Sequence, residues 1–224
     1  MLLTRGEFDQ RLQAGTLTLC FVGMSNIGKS FRSVQLGELQ GLHCHAVDDL
    51  IAAELGFADV GEIASWMGQP DGSDYAERQQ QYLKLEAAIT TADTGMHGNT
   101  VIDTTGSVIY LDDPLLADLK NRALVVEFRV PDSYLDLMIN DYFANPKPVV
   151  WGEMFSRKAG ESTDEALRRC YPQLLADRNR RYQALADLSL PGALTRDEAV
   201  SDESFWKMLL AALPEEIEAD AKMP

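Results

Sequence analysis

The residues with the clearest chemical use form one short stretch, Gly-Met-Ser-Asn-Ile-Gly-Lys-Ser at positions 23–30, which has the G-x-x-x-x-G-K-S/T spacing of a P-loop, or Walker A motif. Glycines let such a loop curl until successive backbone N–H groups point at phosphate oxygens. Lys29 would reach the β- and γ-phosphates, and the Ser30 hydroxyl would bind Mg²⁺. The stretch therefore predicts that the protein binds ATP and Mg²⁺. The predicted nucleotide contacts are Gly23, Met24, Ser25, Asn26, Ile27, Gly28, Lys29, Ser30 and Phe31.

The segments on either side of this loop support the assignment. Residues 17–22 are a short apolar run that predicts a buried strand, and residues 28–40 can form a helix that Gly41 ends. A strand, a loop and a helix follow one another in the order that a P-loop requires. The structural alternative is an ordinary glycine-rich turn between a strand and a helix.

Acidic residues follow two further predicted strands. Residues 43–47 predict a strand that ends at Asp48 and Asp49, and residues 101–102 predict one that is closed by Asp103. Because ligands of parallel α/β sheets bind beyond the carboxyl ends of the strands, we expect these carboxylates in one crevice with the P-loop. Asp48 would face this crevice, and Asp103 would orient Mg²⁺ through water, as a Walker B acid does. The alternatives are a helix N-cap for Asp48 and a turn for Asp103.

The order of strands and helices predicts an α/β fold. The predicted strands are residues 16–22, 43–47, 101–102, 124–130 and 188–190. Because helical segments separate them, we expect a mostly parallel five-stranded sheet with helices on both faces, the three-layer α/β/α arrangement of P-loop NTPases. Pro172 predicts a break in the helix that begins near residue 163.

The length, 224 residues, predicts one domain that spans the whole chain. Within this domain we expect three further parts. These are a short N-terminal helix within residues 1–15, a lid region at about residues 142–163, and a C-terminal helix with an acidic tail at residues 200–224.

The composition, 46% hydrophobic and 25% charged, is that of a soluble globular protein. A net charge of −15 argues against a nucleic-acid partner, because nothing supplies a basic face. No apolar run approaches the ~20 residues of a membrane span, so no membrane partner is expected. The three cysteines, Cys20, Cys44 and Cys170, follow neither a disulfide nor a metal spacing, which favours reduced thiols in the cytoplasm.

From residue 17 to residue 190 the sequence resembles the shikimate kinase family of P-loop small-molecule kinases. The resemblance rests on the P-loop, on the Asp-Asp-Leu-Ile segment at residues 48–51, and on Thr-Thr-Gly-Ser at residues 104–107, where the family has a glycine triplet. It also rests on residues 174–182, which match the family's L-L-x-x-R-x-x-x-Y segment. The resemblance implies an ATP-dependent kinase that phosphorylates a hydroxyl group of a small metabolite.

The resemblance also implies roles for individual residues. Asp48 would bind the acceptor hydroxyl and accept its proton, Arg178 would bind an acceptor carboxylate, and Lys147 would be the lid cation that contacts the phosphates. The implied acceptor contacts at the former glycine triplet are Thr105, Gly106 and Ser107. Three departures favour an acceptor other than shikimate: Ala46 replaces the first acid of the family's D-x-D pair, Thr105 and Ser107 replace glycines, and Tyr75-Ala76 replaces a Phe-Arg pair.

Several alternatives stay open at this point. Arg178 lies near Arg180 and Arg181 and could belong to a solvated basic helix face. The lid cation could be Arg157 or Lys158 instead of Lys147, or all three could lie on a flexible surface loop. At the level of function, the alternatives are a nucleotide-binding regulatory or interaction protein without transfer activity, and a kinase that acts on a nucleoside monophosphate.

Overall fold

The computed structural model describes residues 1–93, 98–131, 134–144 and 147–216. Residues 217–224 of the predicted acidic tail and residues 145–146 of the predicted lid region lie outside the described residues. The strands are β1 (Thr18–Val22), β2 (His43–Ala46), β3 (Thr100–Asp103), β4 (Leu124–Arg129) and β5 (Leu188–Pro191). They form a sheet in the order β2-β3-β1-β4-β5, and every pairing is parallel. The predicted α/β fold is therefore confirmed.

Helices cover both faces of this sheet, which gives the predicted three-layer arrangement. They are α1 (Arg5–Ala14), α2 (Lys29–Gln40), α3 (Val47–Leu55), α4 (Val60–Met67), α5 (Tyr75–Thr90), α6 (Asp113–Arg122), α7 (Leu135–Ala144), α8 (Thr163–Leu185), α9 (Gly192–Thr195) and α10 (Asp202–Ala211). In the parts of the chain that the structure describes, each helix is too short or too polar to cross a lipid bilayer.

Local sequence explains where several helices begin and end. Thr4 and Glu7 form a capping box at the start of α1, and Ser162 and Glu165 form another at the start of α8. In each box the hydroxyl accepts a hydrogen bond from a backbone N–H, and the glutamate accepts one in return. Gly41 adopts the left-handed conformation that ends α2, as its position in the sequence predicts.

Asp48 and Asp49 do not close a strand, contrary to the sequence-based expectation. Strand β2 ends at Ala46, and α3 begins at the next residue, so both carboxylates lie in the first turn of a helix. The N-cap position belongs to Ala46, which means that neither aspartate is the cap. A carboxylate in this turn is stabilised by the free N–H groups at the positive end of the helix dipole.

The predicted break at Pro172 is also wrong, because α8 runs without interruption from Thr163 to Leu185. Pro172 lies on the exposed face of this helix, as does Arg168 one turn earlier. The carbonyl that loses its hydrogen-bond partner to proline is therefore on the side that water can reach. Burial of the opposite face, which includes Leu174 and Tyr182, holds the helix together across this point.

Candidate active site at the carboxyl edge of the sheet

The backbone of residues 23–30 has the shape that a phosphate-binding loop needs. Gly23 and Gly28 have φ angles of 146° and 97°, and Asn26 between them has a φ angle of 61°. A Cβ atom at Gly28 would lie 2.5 Å from the carbonyl oxygen of Thr195, so only glycine fits. Helix α2 begins at Lys29, and Gly28 at its N-cap offers no side chain to the first N–H groups. These N–H groups are therefore available to an anion.

Lys29 is held over this loop. Its side chain is 7% exposed, and Nζ donates hydrogen bonds to the carbonyl oxygens of Gly23 at 3.1 Å and Met24 at 2.9 Å. Burial lowers the pKa of the ammonium group, and the nearby Asp103 and Asp48 carboxylates oppose that effect. An ammonium group has three donors, so one remains for a phosphate oxygen.

Ser30 and Asp103 meet at the end of β3. The Ser30 hydroxyl lies beside the Asp103 carboxylate, whose Oδ1 atom is buried without a hydrogen-bond partner among the described residues. Burial raises the pKa of Asp103, while Lys29 and Ser30 lower it. A hydroxyl and a carboxylate are the hard oxygen ligands that suit Mg²⁺, so this pair fits the predicted metal.

The described residues contain no group of three or more His, Cys, Asp or Glu side chains that could enclose a metal ion. This arrangement is compatible with Mg²⁺, which commonly takes only one or two protein ligands and completes its shell with substrate phosphates and water.

Asp48 lies on the same cleft, in the first turn of α3. Its carboxylate is partly buried, and the hydroxyl of Tyr82 is 3.4 Å from Oδ1. Burial raises the pKa of Asp48 to about 6, the Lys29 ammonium lowers it, and the Asp103 carboxylate raises it further. A carboxylate with a pKa near 6 can accept a proton from a substrate at neutral pH.

Lys29, Ser30 and Asp48 line one cleft with a volume of about 400 Å³, and the buried Asp103 lies beside Ser30 without lining it. Its walls are Ser25, Asn26, Gly28, Lys29, Ser30, Phe31, Asp48, Asp49, Val60, Tyr82, Gly106, Lys147, Pro148, Arg196 and Glu198. The structure thus brings Lys147, the predicted lid cation, to the same cavity as the P-loop. By contrast, Arg157 lies 3.1 Å from Asp71 and is not part of this wall. Two of the predicted nucleotide contacts, Met24 and Ile27, have side chains that are packed in the core and are each 1% exposed, so these residues present only backbone to a phosphate.

Thr105 and Ser107, two predicted acceptor contacts, do not reach this cleft. Both hydroxyls donate to the buried carboxylate of Glu86, with Ser107 Oγ at 2.6 Å from Oε2. Gly106 between them does line the cleft, and its carbonyl oxygen accepts a hydrogen bond of 2.5 Å from Tyr182. The loop is therefore fixed from behind by side chains and presents only Gly106 to the cavity.

Glu86 is a residue of the site that the sequence reasoning missed. It is fully buried, and burial raises its pKa to about 7 while the Ser107 and Thr105 hydroxyls lower it. A signal was present in the sequence, because Glu86 follows Tyr82 by one helical turn and so shares the apolar face of α5. An acidic residue on the apolar face of a helix needs a polar partner where that face is buried.

Arg178 lies behind the lid residues 147–151, which we call the strap. The arginine is 5% exposed, its Nη2 donates to the Val150 carbonyl oxygen at 3.0 Å, and its Nε has no hydrogen-bond partner among the described residues. Tyr75 holds the same segment: its hydroxyl donates to the Val149 carbonyl oxygen at 2.7 Å and accepts from the Trp151 N–H at 3.0 Å. Arg178 is therefore buried, not on a solvated helix face.

The parallel sheet, the helices on both of its faces and the loop at residues 23–30 define the three-layer α/β fold of P-loop kinases. Among solved structures with this fold, the shikimate kinase from Acinetobacter baumannii, solved in complex with shikimate, has a TM-score of 0.57. It is 21% identical, and the alignment covers 90% of this chain and 97% of that one.

Two further shikimate kinases align over 87% of this chain at 17% identity. The enzyme from Bacteroides thetaiotaomicron has a TM-score of 0.58 with 97% of its length covered, and the one from Aquifex aeolicus has 0.52 with 95%. No family model and no curated protein matches the sequence. The predicted resemblance to shikimate kinases is thus confirmed for the fold.

Proposed function

We propose that this protein is an ATP-dependent kinase that transfers the γ-phosphoryl group of ATP to a hydroxyl group of a small metabolite. The observation that carries the proposal is the convergence of Lys29, Ser30 and Asp48 on one cleft of a shikimate kinase-like fold, with Asp103 buried beside Ser30. In that cleft a phosphate donor and an alcohol acceptor can lie side by side. Proximity and fixed charges supply most of the rate of phosphoryl transfer.

The nucleotide would bind with its phosphates on the N–H groups of residues 23–30. Lys29 would donate to a γ-phosphate oxygen, and Ser30 and Asp103 would hold Mg²⁺, which neutralises charge on the phosphates. A second cavity of about 660 Å³ shares Arg196 with the main cleft and combines apolar side chains with Tyr134, Asn140 and Asp197, which can hydrogen-bond to a base. Its walls include Tyr134, Leu137, Asn140 and Ala193.

The acceptor would bind on the α3 side of the cleft. Its hydroxyl oxygen forms a new bond to the γ-phosphorus as the bond from that phosphorus to the bridging oxygen breaks, and ADP leaves. Asp48 takes the hydroxyl proton, while Lys29 and Lys147 stabilise negative charge on the transferring group. Arg178 becomes available to an acceptor anion once its hydrogen bond to Val150 is released.

Phosphate transfer from labelled ATP with Mg²⁺ to a panel of hydroxylated acids, polyols and nucleosides tests the proposal. Shikimate belongs in the panel, because the Acinetobacter shikimate kinase was solved in complex with it. We expect transfer to at least one compound and none in a Lys29→Ala variant. Equal turnover by that variant would refute the assignment.

A second candidate is a nucleotide-binding regulatory protein that transfers no phosphate. The observation that favours it is the state of the acceptor side, where Arg178 and Tyr75 both bind the strap and the hydroxyls of Thr105 and Ser107 face away from the cleft. ATP binding without transfer to any acceptor would support this candidate. In either case we propose a cytoplasmic protein whose partners are small molecules.

A further inference from the structure

Arg32, one turn into α2, is a fully buried arginine whose five N–H donors are all used. Its Nε donates to the Thr195 carbonyl oxygen at 2.8 Å. Nη1 donates to the Val200 carbonyl oxygen at 2.8 Å and to Gln35 Oε1 at 2.5 Å. Nη2 donates to the carbonyl oxygens of Leu194 at 3.1 Å and Asp197 at 2.7 Å.

Four of these five acceptors are backbone carbonyls of one segment, residues 194–200, which we call the C-terminal loop. This segment comprises the last two residues of α9 and most of the connection to α10, and it supplies Arg196 and Glu198 to the wall of the candidate nucleotide cleft. It also touches the P-loop directly: the Thr195 hydroxyl donates to the Ile27 carbonyl oxygen at 3.1 Å, and the Thr195 carbonyl occupies the space that a Cβ at Gly28 would need.

The energetics suggest a specific role for a cation at this position. All five acceptors are neutral, so the guanidinium loses water without gaining a salt bridge from these contacts. Its charge-assisted hydrogen bonds and its stacking on Phe205, at 5.0 Å from the ring centroid, offset that cost. The planar guanidinium can reach four carbonyls of one irregular loop at once, which the three donors of lysine cannot do.

We propose that Arg32 is a positioning residue for the nucleoside part of the bound nucleotide. It fixes the C-terminal loop against the P-loop, so that Arg196 and Glu198 keep their places beside the nucleotide cleft. The proposal rests on the proposed nucleotide binding and adds that two separate segments hold the two parts of the nucleotide. Phosphates are held by the loop at residues 23–30, and the nucleoside is held by a loop whose shape Arg32 determines.

Titration calorimetry with two ligands, MgATP and Mg-tripolyphosphate, separates these parts, because tripolyphosphate has phosphates and no nucleoside. We expect Arg32→Met to weaken MgATP binding by about tenfold or more and to change tripolyphosphate binding by about twofold at most. Arg32→Lys should lie between the wild type and Arg32→Met for MgATP. The matched control is Arg122→Met, because Arg122 also donates to backbone carbonyls, those of Thr90 and Ala92, on another part of the molecule.

Equal weakening of both ligands would overturn the proposal, since it would mean that Arg32 supports the P-loop as a whole. Unchanged MgATP binding by Arg32→Met would overturn it as well. If Arg32→Met does not fold, Arg32→Lys decides by the same ratio of the two affinities. Failure of the proposed function gives a different result: the wild-type protein would then bind neither ligand.

Discussion

The two halves of the candidate cleft are built in different ways. The nucleotide half consists mainly of backbone from one continuous segment, residues 23–30, at the start of one helix. The acceptor half depends on side chains from distant parts of the chain. Asp48 lines the cleft, whereas Tyr75 and Arg178 bind the strap and Glu86 binds the loop behind Gly106. Backbone recognition of phosphate needs few particular side chains, whereas an acceptor is recognised by side chains that differ from one substrate to another.

Lys29→Ala, a change in the nucleotide half, should have the largest effect on phosphate transfer. The ammonium group stabilises the phosphoryl oxygens more strongly in the transition state than in the ground state. Without it, we expect the rate of phosphate transfer to fall by about 10³-fold or more. Thermal unfolding should change little, because Lys29 bonds only to carbonyls of its own loop. Lys84→Ala, which removes an exposed lysine from α5, is the control for loss of a positive charge. Phosphate transfer at the wild-type rate would contradict the role assigned to Lys29 and the P-loop.

Asp48→Asn tests the acceptor half alone. The amide keeps the size of the side chain but cannot accept the hydroxyl proton, so we expect kcat to fall by about 10²-fold while calorimetry still detects MgATP binding. Because the pKa of Asp48 is raised to about 6, the wild-type rate should rise as pH increases through 6, when the carboxylate ionises. The variant should lack that rise. Glu54→Gln on the exposed side of the same helix is the matched control, and an unchanged pH profile in Asp48→Asn would contradict the assigned role.

Much of the nucleotide half could be predicted from sequence because its geometry is local. The P-loop spacing located Gly28, Lys29 and Ser30 without any knowledge of tertiary contacts. On the acceptor side, Asp48 was predicted as the end of a strand, although it lies in the first turn of a helix. Lys147 came only from the family resemblance, and it does line the cleft.

The remaining features depend on contacts between residues that are far apart in the chain. Glu86 bonds to Thr105, 19 residues away, and Arg32 bonds to Thr195, 163 residues away. No short motif marks such pairs, because each partner is chosen by burial and by the packing of separate elements. The strap has the same origin, since Tyr75 reaches Val149 across 74 residues.

Glu86→Gln tests the acceptor half through the pH dependence of the free energy of unfolding. The pKa of Glu86 is raised from 4.5 to about 7 in the folded protein, so its contribution to stability is complete below pH 4.5 and is lost as pH rises through 7. We expect the wild-type free energy of unfolding from urea to fall by on the order of 2 kcal/mol over this range because of Glu86. The variant cannot ionise at this position, so its curve should be flatter.

The control for Glu86→Gln is Asp48→Asn, which should flatten the curve over a lower range, around pH 4 to 6, because the pKa of Asp48 is raised from 3.8 to about 6. Parallel curves for the wild type and Glu86→Gln between pH 4.5 and 7 would contradict the burial of an ionisable Glu86 behind the loop at residues 104–107.

Tyr75→Phe has the smallest expected effect and probes how firmly the strap covers Arg178. The variant removes one hydroxyl that both donates to Val149 and accepts from Trp151, which is worth about 1 to 2 kcal/mol. Amide hydrogen exchange of residues 149–151 should therefore become faster, while exchange in the P-loop and the affinity for MgATP stay unchanged. Thr91→Val, which removes a hydroxyl that donates to the Ala87 carbonyl oxygen outside the strap, is the control. Faster exchange in both regions would mean that the two halves are coupled, and the separation of nucleotide and acceptor recognition would then have to be abandoned.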